Sequence, residues 1–232
     1  MPLVELVIFD CDGVLVDSEI IAARVETAML AKVGIEIDPV EFAGRYAGLT
    51  FRDILMRLEA ETGQVLQASM LDNQKAELDR RLAREVRAIS GVAQAVTAVK
   101  QPRCICSNSR SERLEMMLNK TGLMPLFEGR VFSAMDLPDK RPKPAPDVYL
   151  HAASVMNTAP AKCMVLEDSV HGVAAAKAAG MRVIGFTGGS HSYPGHSDVL
   201  TEAGAETAIN RWADLGPVLD ALSVWSDNET LI

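Results

Sequence analysis

VELVIFDCDGVLVDSE, residues 4–19, begins with six almost uniformly apolar residues and then stops on two aspartates two positions apart, Asp10 and Asp12, with Gly13 behind them. A run such as VELVIF suits a strand covered on both faces, the setting of a central strand in a parallel sheet. Two carboxylates about 4 Å apart repel by roughly 4 kcal/mol at an effective dielectric near 20. A buried strand that ends this way therefore needs a cation beside it.

Downstream of this stretch the pattern turns helical. Glu19 to Val33 carries apolar residues at helical spacing, and Gly34 is placed to stop it. Asp38-Pro39 reads as an N-cap with proline at the first helical position. Thr50 with Asp53 resembles a capping box that opens a helix through Thr62. Gln67 to Glu85 is predicted as a long helix with a polar face. No strand is expected between residues 16 and 86.

Beyond that point strands and helices alternate. Strands are predicted at Arg103–Cys106, Arg130–Ser133, Lys162–Leu166 and Met181–Phe186. Helices are predicted at Gly91–Lys100, after Ser109 to Gly122, at Pro144–Met156 and at Val170–Ala179. This alternation implies parallel βαβ units, hence an α/β fold with a doubly wound, Rossmann-like parallel sheet. The expected organisation is a catalytic core of residues 1–15 and 87–232 with a helical cap, residues 16–86, inserted after the first strand. Ligands of open α/β sheets bind at the carboxyl ends of the strands, so the insert is placed to act as a lid. The tail from Ser226 is polar and expected to fray.

Composition narrows the function. The chain has 232 residues, 48% of them hydrophobic, and a net charge of −8. That balance argues against a nucleic-acid partner, which needs basic patches. No apolar run reaches the ~18 residues that suggest a membrane span. The N-terminus lacks the basic region of a secretory leader. Four cysteines without zinc spacing are too few for a disulfide framework. A cytoplasmic protein, monomeric or a small homo-oligomer, is the expectation, and a small anionic substrate held by a few local cations fits it.

Three predicted strands end in polar residues: Asp10 with Asp12, Ser107, and Glu167 with Asp168. Lys143, in RPKPAPD, follows a fourth. Alone, each is an ordinary turn, cap or loop residue. In parallel order they gather at one edge of the sheet. With these residues in view, the chain resembles the haloacid dehalogenase superfamily, in its capped phosphatase and β-phosphoglucomutase-like branch. The first motif is matched by Asp10-Cys11-Asp12-Gly13-Val14 through Asp17-Ser18, the second by Ser107 in CSNS, the third by Lys143, and the fourth by Glu167-Asp168-Ser169 followed by Gly172. DxDG alone also resembles a calcium loop, but such a loop lies between helices and needs a late glutamate; here a strand precedes it.

The resemblance implies a Mg²⁺-dependent phosphatase acting on a small phosphorylated metabolite such as a sugar phosphate. Asp10 is the implied nucleophile, forming an aspartyl phosphate, and Asp12 the general acid and base. Mg²⁺, a hard cation suited to oxygen ligands, is implied to bind Asp10, Asp168 and the Asp12 carbonyl, with Glu167 acting through water or by supporting Lys143. Lys143 and Ser107 are implied to steady phosphoryl charge, and Asn108 could add a donor. Asp12 favours an oxygen leaving group that needs a proton, against dehalogenase or phosphonate chemistry.

Two other readings stand beside this one. In phosphomutases of this branch, arginine commonly stands three residues after the glycine that Gly48 matches; here Phe51 holds that position and Arg52 follows. Arg52 could meet a second anionic group or sit on a helix surface. A non-catalytic binding protein would have no need of both Asp10 and Asp12. His191 and His196, in GGSHSYPGHSD, are expected in a mobile surface loop; His171 is expected at a solvated helix end, although it could orient Glu167.

Overall fold

The computed structural model describes residues 3–46, 49–66, 69–127 and 129–224. The tail from Ser226 and the position of Gly48 lie outside the described residues. β1 (Leu6–Phe9) is buried at all four positions. Leu6 and Ile8 pack with Cys104, Val165 and Val183 on one face. Val7 and Phe9 pack with Ile105, Met164 and Ile184 on the other. The period of two in a strand thus divides one apolar run between two cores.

β2 (Arg103–Ser107), β3 (Val131–Ser133), β4 (Cys163–Glu167), β5 (Arg182–Phe186) and β6 (Thr207–Ile209) complete a six-stranded sheet of order β3-β2-β1-β4-β5-β6. Every neighbouring pair is parallel. Four helices follow β1, and the core helices after them are α5 (Val92–Ala98), α6 (Ser111–Thr121), α7 (Asp147–Val155), α8 (Val170–Ala178), α9 (His196–Glu202) and α10 (Leu215–Val224). The chain steps outward from β1 through β2 to β3, then crosses back to β4 on β1's other side. The direction of winding therefore reverses beside β1, where the carboxyl ends of the strands leave a crevice.

β6, α9 and α10 are not anticipated by the sequence reading. β6 has three residues, too few to show alternation. α9 opens at Gly195, whose φ of 85° lies in the left-handed region, inside a stretch whose glycine, serine and proline content reads as loop.

After β1 come α1 (Glu19–Ala31), α2 (Pro39–Arg45), α3 (Phe51–Thr62) and α4 (Ser69–Glu85). Asp38 caps α2, accepting from the amides of Val40 at 2.8 Å and Glu41 at 3.2 Å. Thr50 and Asp53 form the expected capping box at α3. These helices share a core around Leu30, Phe42, Tyr46, Ile54 and Leu58. Ile20, Ile21 and Val25 of α1 and Leu78 and Leu82 of α4 join the apolar cluster of the sheet instead. The chain leaves and re-enters the sheet region through adjacent segments, where Asp17 N donates to Arg87 O at 3.0 Å and Ile89 N to Leu15 O at 3.0 Å.

Candidate active site

The crevice at the strand ends and the inner faces of α1 to α4 enclose a cleft of about 900 Å³. Asp10 leaves β1 at its floor. Phe9, one residue earlier, is wedged between Phe127 and Trp212, with ring centroids 5.8 and 5.9 Å away. Asp10 N also donates to Leu166 O of β4 at 3.0 Å. The backbone that carries the carboxylate is thereby held on both sides.

Lys143 supplies part of the counter-charge. Its Nζ lies 2.5 Å from Asp10 Oδ1 and 2.7 Å from Glu167 Oε1, and it donates to the Cys106 carbonyl at 2.8 Å. Burial works against the ammonium, yet Asp10 and Glu167 hold its pKa well above the usual lysine range. For Asp10, burial outweighs Lys143, and with Glu167 and Asp168 nearby its carboxyl is pushed well above the ordinary range.

Glu167 is 1% exposed and saturated with donors. Oε1 accepts from Lys143 and from Tyr149 Oη at 2.8 Å. Oε2 accepts from the amides of Asp168 and Ser169 and from Ser169 Oγ, at 3.1, 3.2 and 3.0 Å. Of the two roles implied for Glu167, this arrangement suits support of Lys143. Asp12 faces the same cleft with its carboxylate oriented by three hydroxyls: Ser18 on Oδ1 at 2.7 Å, and Ser107 and Ser109 on Oδ2 at 3.2 and 2.8 Å.

A family model of haloacid dehalogenase-like hydrolases matches residues 4–180. The chain belongs to the haloacid dehalogenase-like hydrolases. A conserved haloacid dehalogenase-like protein of Agrobacterium tumefaciens has a solved structure that superposes with a TM-score of 0.93 at 53% identity, over 95% of this chain and 99% of that one. The 6-phosphogluconate phosphatase of Escherichia coli K12 is 33% identical over 195 residues, covering 84% of this chain and 87% of that protein. Hexitol phosphatase B of the same organism is 30% identical over 186 residues, 76% of this chain and 81% of that one. These named relatives place the chain among the phosphoric monoester hydrolases.

In this haloacid dehalogenase-like hydrolase, oxygens of Asp10, Glu167 and Asp168 lie within 4.8 Å of one another, and all three residues are buried. Burial is the main cause of the raised pKa of Asp168 as well, with His191 opposing it. A buried set of hard oxygen donors with surplus negative charge fits a Mg²⁺ ion. Asp10, Asp168 and Glu167 could each offer it an oxygen, and Glu167 already accepts from five donors.

Other expected site residues are placed differently. Arg52 is exposed on α3 and does not line the cleft. Its neighbours Phe51, Ile54, Leu55 and Leu58 are buried in the core that the helices share. The arginines that do line the cleft are Arg110 and Arg113, and Arg113 pairs with Asp79 at 2.7 Å. Asn108 is turned to the backbone of Lys143, accepting from its N–H at 2.8 Å, with Nδ2 3.5 Å from its carbonyl. Asn108 thereby steadies the backbone of Lys143, and it lines the cleft as well.

The expectation of a mobile surface loop for His191 and His196 is corrected. Both are buried. His191 Nε2 is 2.9 Å from Asp168 Oδ2, and His196 Nε2 is 2.7 Å from the Asp168 carbonyl oxygen. Burial works against charge on His191, but Asp168 holds its pKa up at about 9. Sequence reasoning also passed over Ser109 and Tyr149. Ser109 repeats the serine of CSNS two residues on, the one local signal available; Tyr149 is one apolar-face residue of a helix among several.

Proposed function

We propose that this chain is a Mg²⁺-dependent phosphatase that hydrolyses a small phosphorylated sugar or sugar derivative through an aspartyl phosphate on Asp10, with residues 16–86 acting as a lid. The observation that carries the proposal is the buried Asp10–Lys143 pair, set on the floor of a cleft to which Asp12 presents a carboxylate oriented by hydroxyls. The cleft volume falls in the range of small-molecule sites, and two relatives are named for 6-phosphogluconate and hexitol phosphates.

In the first step an Asp10 oxygen attacks phosphorus while the bond from phosphorus to the ester oxygen breaks. Asp12, which enters this step protonated, passes its proton to the departing alkoxide, so the alcohol leaves neutral. Asp12, now ionised, takes a proton from the water that attacks the aspartyl phosphate. The bond from phosphorus to Asp10 breaks, inorganic phosphate leaves, and both carboxyls return to their starting state. Lys143 offsets charge on Asp10 and on the transferring group, and Glu167, Tyr149 and Asn108 hold Lys143 in place. A Mg²⁺ ion held by Asp10 and Asp168 would supply further charge neutralisation for the phosphoryl oxygens.

Phosphate release from a panel of sugar, sugar-acid and hexitol phosphates, with Mg²⁺ and with EDTA, tests the reading. Turnover of at least one of these with Mg²⁺ and its loss in EDTA is expected; full activity in EDTA would overturn the metal dependence. β-Glucose 1-phosphate with a trace of the 1,6-bisphosphate separates hydrolysis from phosphomutase action. Free phosphate without glucose 6-phosphate is expected, because a buried Phe51 stands where a mutase would be expected to carry arginine.

A further inference from the structure

The loop from Thr187 to Gly195, between β5 and α9, is irregular, yet its histidine is buried. His191 lies against the backbone of Gly13: a Cβ added there would stand 2.8 Å from His191 Cε1 and 1.9 Å from Asp168 Oδ2. A Cβ on Gly189 would likewise stand 2.6 Å from both Cε1 and Nδ1 of the ring. The imidazole therefore sits in a slot formed by two glycines, with Nε2 facing Asp168 Oδ2 at 2.9 Å. Its Nδ1 is buried and has no hydrogen-bond partner among the described residues, so Nε2 is the nitrogen the site uses.

The slot is tied down from several directions. Ser190 donates its N–H to Asp17 Oδ1 at 2.9 Å and its hydroxyl to Asp17 Oδ2. His196 holds the Asp168 carbonyl, Ser192 Oγ lies 2.9 Å from His196 Nδ1, and the Tyr193 ring stacks on His196 with centroids 4.7 Å apart. A carboxylate otherwise turns freely about its last torsion, and either oxygen can then face the neighbouring acids.

We propose that His191 is a positioning residue for Asp168: its hydrogen bond occupies Oδ2 and leaves the other carboxylate oxygen directed at the cation that Asp10 and Asp168 share. Hydrogen bonds to a metal's carboxylate ligands commonly set affinity by 10- to 100-fold. The inference rests on the metal-site reading above. It further assigns a function to a loop that the catalytic steps do not use.

The test is direct Mn²⁺ binding to the full chain, followed by the loss of the free-ion electron paramagnetic resonance signal, with thermal melts confirming folding. His191→Leu should weaken binding by about 10- to 100-fold. His191→Gln, whose amide nitrogen reaches the place of Nε2, should stay within about threefold of wild type. At saturating Mg²⁺, His191→Leu should recover most of its turnover while needing a higher Mg²⁺ concentration for half-activation. Unchanged or tighter Mn²⁺ binding in a folded His191→Leu protein, or failure of glutamine to rescue, overturns the inference while leaving the metal site intact. A wild-type chain that binds no Mn²⁺, like an Asp168→Ala control, overturns both.

Discussion

Asp10 and Asp12 are two residues apart and face the same cleft, but their surroundings differ. Asp10 is paired with an ammonium inside a buried acidic cluster, and Asp12 is surrounded by serine hydroxyls. Asp10→Asn should therefore leave the fold intact and lower phosphate release by more than about 10³-fold, as read on a generic aryl phosphate. Asp12→Asn should lower turnover of alkyl phosphates by roughly 10²- to 10⁴-fold. In single-turnover phosphorylation an aryl phosphate with an acidic phenol should be largely spared, and equal losses on both would count against the acid role. Glu26, beside the cleft on α1, accepts from Gln74 Nε2 at 2.7 Å. Burial pushes its pKa up to about 8, against the opposing effect of Gln74. In the unfolded chain a glutamate ionises near pH 4.3. Between roughly pH 5 and 8 the unfolded state has thus released a proton that the folded state keeps, so stability falls as pH rises through that window. Glu26→Gln has no proton to lose. Its melting temperature should gain on wild type by roughly 10 °C between pH 5 and pH 8.5, whereas a pH-independent difference would mean that Glu26 ionises normally.

At the scale of elements, the turn from β4 into α8 shows how strand ends and helix starts build the site together. Ser169 caps α8 by accepting from Gly172 N at 3.0 Å and also donates to Glu167. By helix propensity alone, Gly172→Ala should stabilise α8 by about 1 kcal/mol. Tertiary packing reverses the sign, because a Cβ there would stand 1.9 Å from Glu167 Cδ and 2.0 and 2.1 Å from its oxygens. Gly172→Ala should lower stability by roughly 1–3 kcal/mol and, by displacing Glu167 from Lys143, lower turnover as well. Thermal melts and phosphate release read the two effects, and a stabilised, active variant would contradict the packing. The position was legible as part of a motif in the sequence, but the reason for glycine was not, since it depends on a side chain five residues back folding over the helix start. The loop between β5 and α9 gives the converse case. Its composition correctly announces irregular backbone, yet composition says nothing of burial, and His191 and His196 are inside.

At the scale of the molecule, the helices of residues 19–85 cover the strand ends and contact the core chiefly along α1 and α4. The two chain crossings near Val16 and Arg87 lie side by side, an arrangement that allows hinged closure. The ion pair of Arg113 on α6 with Asp79 on α4 spans the two parts at 2.7 Å, is partly exposed, and contributes little to holding them shut. If residues 16–86 close over substrate, Mg²⁺ and a slowly turned-over sugar phosphate added to Asp10→Asn should slow amide exchange in α1, α2 and α3 and leave α10 unchanged. Uniform protection, or none, would argue for a fixed roof instead of a lid.

The sequence by itself determined what depends on near neighbours and on strand order. An almost uniformly apolar run marked β1 as central, helical spacing and capping residues placed α2 and α3, and polar residues at successive strand ends located the site at one sheet edge. Family resemblance then gave Asp10, Asp12, Lys143 and Asp168 their expected roles. Only the tertiary structure decided which groups from distant segments meet within about 3 Å: Ser18 and Ser109 on Asp12, Tyr149 on Glu167, Asn108 on the Lys143 backbone, His191 on Asp168. It also turned Arg52 outward. Spacing along a chain fixes the face of an element on which a side chain stands. Which opposing surface that face meets, and so which hydrogen bonds and charges remain unscreened by water, follows only from how the elements pack.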